Sequence, residues 1–290
     1  MKLAAQFNAL FLAVFTAGLV AATFLSQRLL EQSAREETLE DARLIMETAS
    51  AARRYTSDQI APLLKGASQA TFLPQTVPAY AATEALNIVR ERFPDYSYKE
   101  ATLNPTNLRD RASDWEADVV NRFRQYPAET ELVGDRDTPS GHSLFLARSI
   151  AIKDAACLEC HSTVGAAPKS MIARYGPANG FGWKLGEVIG AQIVSVPQTL
   201  PLRRARHALY AFVAVAGCLL LLLLVSLNLL LRAIVVQPVE RLARAADDVS
   251  LGKVDAADLP AYGSDELSML ARSFNRMKKS LAHAIKMLNE

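Results

Sequence analysis

The feature that most constrains this chain is a pair of long apolar runs, Leu3–Leu25 and Ala208–Leu231, that contain no charged residue. A helix as long as the second run, 24 residues, is about 36 Å long, and the hydrocarbon core of a bilayer is about 30 Å thick. The sequence therefore predicts a membrane protein with spans in residues 1–27 and 208–231. These spans enclose a domain of residues 28–207.

The first run also has features of a cleaved signal peptide, since Ala21 and Ala22 offer small residues near a plausible cleavage site. Signal peptides, however, have an apolar core of about 7–15 residues. Here the run is longer and passes without a break into a helical pattern after Arg28. We therefore expect an uncleaved membrane anchor.

Inside the enclosed domain, residues 157–161 have the sequence Cys-Leu-Glu-Cys-His, the attachment signature of a c-type haem. Thiols at the spacing of Cys157 and Cys160 can reach both vinyl groups of one porphyrin, with His161 as the proximal iron ligand. The prediction is one covalently attached haem c. Two alternatives stay open, a redox dithiol and a zinc site. Neither has its usual context, because no βαβ pattern is present and Cys218 lies inside the second apolar run.

Positive charge does not decide the orientation in the membrane, because three arginines precede the second run and three follow it. Covalent c-type haem is made outside the cytoplasm. We therefore predict a protein of the bacterial inner membrane whose haem domain is periplasmic and whose termini are both cytoplasmic. A formal charge of +2 argues against a nucleic-acid partner.

Hydrophobic periodicity predicts an α+β fold for the enclosed domain. The predicted helices are Ser26–Ile60, which Pro62 ends, Tyr80–Arg92 and Trp115–Gln125. The predicted strands, which alternate apolar and polar residues, are Leu144–Ile152 and Val188–Val196. We expect an antiparallel sheet flanked by helices, similar by analogy to PAS or Cache domains.

Two amphipathic helices joined by a loop are predicted after the second span. The first begins near Pro238, and the loop contains Gly252. The second carries apolar residues at strict three-four spacing, typical of a coiled coil: Leu267, Leu270, Phe274, Met277, Leu281, Ala284 and Leu288. This arrangement directly after a span resembles a HAMP domain. The resemblance implies a homodimer in which residues 232–290 form a cytoplasmic HAMP domain and coiled-coil extension.

The enclosed domain also resembles the c-haem, PAS-like periplasmic sensor domains of bacterial chemoreceptors, histidine kinases and cyclase-associated sensors. The resemblance rests on the haem motif and on three further segments: Ala52–Thr56, Asp114–Glu116 and Gly180–Val188. It implies that a change at the haem iron is the signal that the protein detects.

The second axial ligand of the iron has several candidates. Some members of the similar family use a cysteine from the first helix, and this chain has none there. Met46, on the apolar face of that helix, is the predicted metal ligand, with an ordinary core methionine as the alternative. His142, Met171 and His207 are weaker candidates.

Haem propionates need cationic or hydrogen-bonding partners. Arg53 and Tyr55, together with Arg54, are predicted for this role because a guanidinium matches a carboxylate. A solvated helix end is the alternative. Trp183 and Tyr98 are candidate walls for the porphyrin.

The function predicted from these features is a transmembrane sensor that relays redox state or binding of a small gas. Because the sequence stops at Glu290 with no output domain after the coil, we expect a separate cytoplasmic kinase, cyclase or similar partner, and truncation of a longer protein is the alternative. The alternatives are a membrane-anchored electron-transfer cytochrome and a thiol-redox protein. No Ser/His/Asp grouping, phosphate-binding glycine loop or metal-hydrolase motif is present, so we do not expect an enzyme.

Overall fold

The computed structural model describes residues 3–138, 141–253, 257–261 and 263–289. Its helices are α1 (Leu3–Tyr55), α2 (Ala61–Leu63), α3 (Lys65–Ala70), α4 (Pro78–Arg92), α5 (Asp114–Gln125), α6 (Leu158–His161), α7 (Lys169–Tyr175), α8 (Thr199–Leu231), α9 (Gln237–Ser250) and α10 (Glu266–Asn289). Its strands are β1 (Ser97–Thr102), β2 (Glu131–Thr138), β3 (Gly141–Ala151) and β4 (Val188–Pro197). The chain divides into two compact units, and we call residues 27–208 the sheet domain.

The four strands form one antiparallel sheet in the order β1-β4-β3-β2. The expected mixture of helices and antiparallel sheet is therefore confirmed. The two strands predicted from sequence are the central pair, and both edge strands were missed. Edge strands often carry charged residues, which prevent pairing with other chains. That is the case for Lys99 in β1 and for Asp135 and Asp137 in β2, so neither strand shows apolar alternation.

The sheet has a separate apolar core on each face. On one face, α1 and α4 pack against Leu146 and Val194, which are paired across β3 and β4. On the other face, α5 places the buried ring of Phe123 against Ala147 and Ile193, the next residues along these strands. This alternation is the expected result of the two-residue repeat of a strand.

The prediction that Pro62 ends the first helix is wrong. After α1, a single π-helical turn, Thr56–Ile60, leads directly into α2, which contains Pro62. A proline in a regular α-helix clashes with the carbonyl four residues earlier and removes a hydrogen bond. The π turn before Pro62 is wider than an α-helical turn and tolerates the loss of this hydrogen bond. Such turns are frequent at functional sites.

Two helices, within Ala5–Leu63 and Pro201–Ser250, are long and apolar enough to cross a membrane. They correspond to the two predicted spans. Asn8 Nδ2 donates a hydrogen bond of 2.8 Å to Asn228 Oδ1 and so joins the two apolar helices. Interhelical hydrogen bonds of this kind contribute roughly 0.6–2 kcal/mol in a membrane.

The segment after the second span consists of α9, a connector and α10. The connector is fixed to α10 because Asn275 exchanges two hydrogen bonds with the backbone of Leu259, and Lys278 Nζ lies 2.8 Å from Asp258 Oδ1. Several seam residues of α10 remain exposed, among them Leu270, Met277 and Leu281. They are available for contact with another helix.

The buried Phe123 ring should be essential for the core under α5. We expect Phe123→Ala to lower the free energy of unfolding by about 3–5 kcal/mol, because it leaves a cavity against the sheet. Urea denaturation of the detergent-solubilised chain, followed by circular dichroism, measures this change. The control is Phe93→Ala, since Phe93 is 55% exposed. A similar loss for both variants would contradict the described core.

Candidate functional site

The haem motif lies directly after the edge of the sheet where β3 ends. A 3-10 turn, Ala155–Cys157, is capped by the carboxylate of Asp154 and leads into the single turn of α6. Residues three apart on a helical turn project to the same side. Cys157 and Cys160 therefore share one side of the turn, and both are free thiols. Cys157 is exposed and Cys160 half-buried, so both thiols are accessible to a porphyrin.

The electrostatics of the two thiols do not favour a redox dithiol. Burial raises the pKa of the Cys157 thiol, and the carboxylate of Asp154 raises it further. Burial and Glu159 likewise raise the pKa of Cys160. Reactive dithiols depend on a lowered thiol pKa. For the zinc alternative, the described part of the chain contains no group of three or more His, Cys, Asp or Glu side chains that could hold a metal ion.

His161 is oriented by one strong hydrogen bond. Its Nδ1 lies 2.7 Å from the carbonyl oxygen of Gly180, which can only accept, so Nδ1–H is the donor. Burial lowers the pKa of His161, and the hydrogen bond to Gly180 opposes this only in part. The lowered pKa favours the neutral ring, and with Nδ1 as the donor the lone pair of that ring is on Nε2. A neutral imidazole fixed through Nδ1 is the form that binds a metal.

The indole of Trp183 supports the imidazole from one side. The two rings are stacked, with centroids 3.9 Å apart and an angle of 16° between their planes. The Trp183 backbone N–H also donates to the carbonyl of His161. Trp183 therefore packs against the predicted iron ligand, and its predicted role as a porphyrin wall stays a prediction.

The loop that carries Gly180 has a backbone shape that requires glycine. Gly180 has a φ of +85°, and a Cβ at this position would meet the side chain of Thr106 and lie 2.8 Å from the Thr106 Cα. Asn104 accepts a hydrogen bond from the Gly180 N–H, and Thr106 Oγ1 lies 3.4 Å from His161 Nδ1. The loop after β1 and the glycine-rich loop thus form a seat for His161.

Arg53 lies at the end of α1 and faces the sheet. It forms an ion pair with Glu100, whose other oxygen accepts a 2.8 Å hydrogen bond from Tyr98 Oη. Gln192 in turn donates to Tyr98 Oη. The charge of Arg53 also acts on Cys157, whose pKa it lowers against the larger effect of burial. Arg53 therefore lies within electrostatic range of Cys157.

Tyr98 belongs to this polar network and is almost completely buried. Desolvation, and after it the Glu100 carboxylate, raise the pKa of Tyr98 far above its usual value, so the hydroxyl remains a donor. By its hydrogen bond to Glu100, Tyr98 helps to hold Arg53 on the sheet. The sequence did not indicate this structural role. Tyr55, in contrast, is 54% exposed, and its predicted role at a propionate stays a prediction.

Met46 is completely buried in the core of α1, α4 and the sheet, together with Leu144 and Leu146. Leu146 lies six residues before Ile152, which is about 20 Å along an extended strand. The haem motif follows after Ile152. This packing favours the core-methionine alternative, and iron ligation by Met46 stays a prediction.

The weaker ligand candidates occupy different places. His142 lies at the opposite end of β3 from the haem motif and contacts Asp137, with 2.9 Å between Nδ1 and Oδ1. Its position argues against ligation. Met171 is buried in α7, shortly after the motif, and His207 lies in α8 next to the second span.

The residues at this site fit a haem. Two accessible thiols at the required spacing precede a neutral histidine whose free nitrogen is Nε2, and Arg53 adds a cation nearby. Sequence reasoning identified these groups but missed the seat of Asn104, Thr106 and Gly180. The cluster of glycines after the motif was the available signal, because such clusters mark backbone with positive φ.

Comparison with known proteins matched two family models to the chain. Residues 31–197 match the family model described as Tll0287-like, and residues 230–283 match the HAMP domain. Among solved structures, the chain is similar to the cyanobacterial haem protein Tll0287, with 16% identity over 56% of this chain and 96% of that chain, and a TM-score of 0.44. None of the curated proteins matches the chain.

Alanine substitutions at two glycines distinguish the steric clash with Thr106 from the backbone strain of a positive φ. Gly180 and Gly182 both have positive φ, but a Cβ at Gly182 would meet nothing within 4 Å. We expect Gly182→Ala to cost about 1 kcal/mol from strain and Gly180→Ala a further 1–3 kcal/mol from overpacking. Thermal unfolding followed by circular dichroism measures both. Equal melting temperatures for the two variants would show that Thr106 does not pack against Gly180 as described.

Proposed function

The chain belongs to the Tll0287-like family, and on this premise we propose that it is a transmembrane sensor with one covalent c-type haem in the periplasm. It relays redox state or binding of a small gas through its HAMP domain to a separate cytoplasmic protein. The observation that carries the proposal is the His161 imidazole, held by Gly180 directly after two accessible thiols. This arrangement lies in a chain that also contains two apolar spans and a HAMP domain.

Cys157 and Cys160 would form the thioether bonds, and His161 Nε2 would bind the iron. When bound, the haem supplies a one-electron redox centre and an axial position that a gas can occupy. The raised thiol pKa values do not oppose this assignment, since thioether formation in the cell depends on dedicated maturation. The hydrogen bond to Gly180 increases the basicity of the imidazole and fixes the direction of its lone pair.

Arg53 would provide charge compensation for a propionate. It is ion-paired with Glu100, which is only 5% exposed. A negative group near Arg53 would compete with Glu100 for the guanidinium and change the packing at the end of α1. Arg53 is therefore the residue through which a change at the site is expected to reach α1.

Both spans are continuous in the chain with elements of the site. α1 is a single helix of 53 residues from the first span to Arg53 and Tyr55. On the other side, β4 ends at Pro197 and α8 begins at Thr199, two residues later. A helix transmits displacement along its axis more directly than a loop. This connection supports relay to the membrane.

The HAMP segment would act as a homodimer in the bacterial inner membrane, with both termini in the cytoplasm. Its exposed apolar seam, which includes Leu270, Met277 and Leu281, supports this assembly because such residues pack against another helix in coiled coils. The proposal assigns no chemical reaction to the chain itself. An electron-transfer cytochrome would retain its activity without residues 233–290, whereas a sensor would lose its signal.

Covalent attachment should depend on the two motif cysteines alone. We expect the chain matured in a host competent for c-type haem to carry the added mass of one haem after denaturation. Cys157→Ser combined with Cys160→Ser should remove it, because no thioether can form. Intact-mass spectrometry measures the difference. The matched control, Cys218→Ser, should keep the haem, and a double variant that also keeps it would contradict the assignment.

The seam of α10 should bring two copies into contact. We expect Leu281→Cys in a Cys218→Ser background to be cross-linked between subunits by a bismaleimide, because the seam faces the partner helix. Ser280→Cys, one position away from the seam, is the control and should react less. The cross-linking yield at Leu281→Cys should also change when the haem is reduced or when the reduced haem is exposed to carbon monoxide. Equal yields in the oxidised, reduced and carbon monoxide-treated samples would contradict the relay, and no cross-linking at all would contradict the dimer.

A further inference from the structure

A cavity of about 300 Å³ lies beside β1 on the face of the sheet that α5 covers. This volume is at the lower end of the range for small-molecule sites, about 300–1,000 Å³. Six charged side chains line it: Arg90, Lys99, Arg109, Asp110, Glu116 and Arg136. Four cations thus face two carboxylates.

The two carboxylates are already paired within the lining. Lys99 Nζ lies 2.7 Å from Glu116 Oε2, and Arg109 Nε lies 3.3 Å from Asp110 Oδ1. Glu116 is further occupied at the start of α5, where it accepts a hydrogen bond from the Ser113 N–H. These pairs neutralise each other, and Arg109 is also ion-paired with Glu84 just outside the lining. Arg90 and Arg136 have no carboxylate partner among the described residues, so the lining carries an excess of positive charge.

Arg136 is held in a fixed orientation by an aromatic ring. Its guanidinium carbon lies 3.9 Å from the centroid of the Trp115 ring. A stacked guanidinium keeps the N–H groups at its edge free for a planar acceptor, and a carboxylate matches this edge with two parallel hydrogen bonds. The hydroxyl of Ser195, a nearly buried residue in the same lining, adds a neutral donor.

We propose that this cavity is a second ligand site, and that it binds a small organic carboxylate through Arg90 and Arg136. The ligand class follows from the size of the cavity, the two unpaired guanidinium groups and the indole wall. The lining comes from α4, from α5 and from the edge strand β1, whereas Met46 lies in the apolar core on the opposite face of the sheet from α5. It goes beyond the proposed haem function and does not need a haem to bind its ligand.

The loop after β1 connects this cavity to the seat of His161. Its residues Asn104 and Thr106 contact the glycine-rich loop and His161, and the turn Leu108–Asp110 then contributes Arg109 and Asp110 to the cavity. A bound carboxylate would compete with Glu84 and Asp110 for Arg109 and so act on the same short loop. Occupancy of the cavity by a ligand should therefore be detectable at the haem. This coupling to the haem rests on the proposed function.

Isothermal titration calorimetry of the haem-loaded full chain in lipid nanodiscs tests the site. The probes are acetate, succinate and benzoate, each compared with its amide, and inorganic phosphate. We expect saturable heat from at least one carboxylate and none from its amide. Arg136→Gln and Arg90→Gln should each weaken binding about tenfold or more, because each removes a charge-assisted hydrogen bond. Arg92→Gln, on the same helix but outside the cavity, should leave affinity unchanged.

The proposal is overturned if no carboxylate binds, if phosphate binds as tightly, or if both glutamine variants retain full affinity. Arg90 is on the exposed side of α4, so Arg90→Gln gives a result even if Arg136→Gln fails to fold. The haem absorption spectrum, recorded during the same titration, tests the coupling between the cavity and the haem. The coupling is wrong if ligand binding leaves the spectrum unchanged. A chain that carries haem but binds no carboxylate refutes this site alone, and one that binds carboxylate without haem refutes only the sensor proposal.

Discussion

The hydrogen bond from His161 Nδ1 to the carbonyl of Gly180 is the interaction on which the haem site depends. It fixes the tautomer, directs Nε2 away from the loop and anchors the end of α6 to the glycine-rich segment. It is possible only because Gly180 has a positive φ and no side chain, which lets the loop approach Thr106 closely. One backbone requirement therefore orients the His161 imidazole, which directly follows the two thiols in the chain.

The second constraint is the separation of polar and apolar surroundings along α1. Met46 belongs to a closed apolar core, whereas Arg53, two turns later, is held by a buried carboxylate beside the haem motif. Breaking such a buried pair is costly, since the remaining charge has no compensation. A helix that ends in this way responds to a change of charge at the site more readily than one that ends in an apolar core.

Sequence patterns predicted the features that depend on local chemistry. The spacing of Cys157, Cys160 and His161 follows from covalent geometry, and the spans follow from length and charge, so both could be recognised without a structure. The edge strands could not, because charged and polar residues interrupt their apolar pattern. The seat of His161 could not either, since it joins Asn104 and Thr106 to Gly180 across more than 70 residues of sequence. Pro62 misled the prediction because a π turn, which has no simple sequence pattern, accommodates it.

The central claim is that a haem is bound covalently at Cys157 and Cys160 with His161 as ligand. The most direct measurement is the absorption spectrum of the full chain, matured in a host competent for c-type haem and then extracted with acidified acetone. The account predicts that the haem absorption stays with the polypeptide and shows the reduced band of a c-type cytochrome. Haem absorption that moves entirely into the acetone, or a polypeptide that never carries haem, would contradict it.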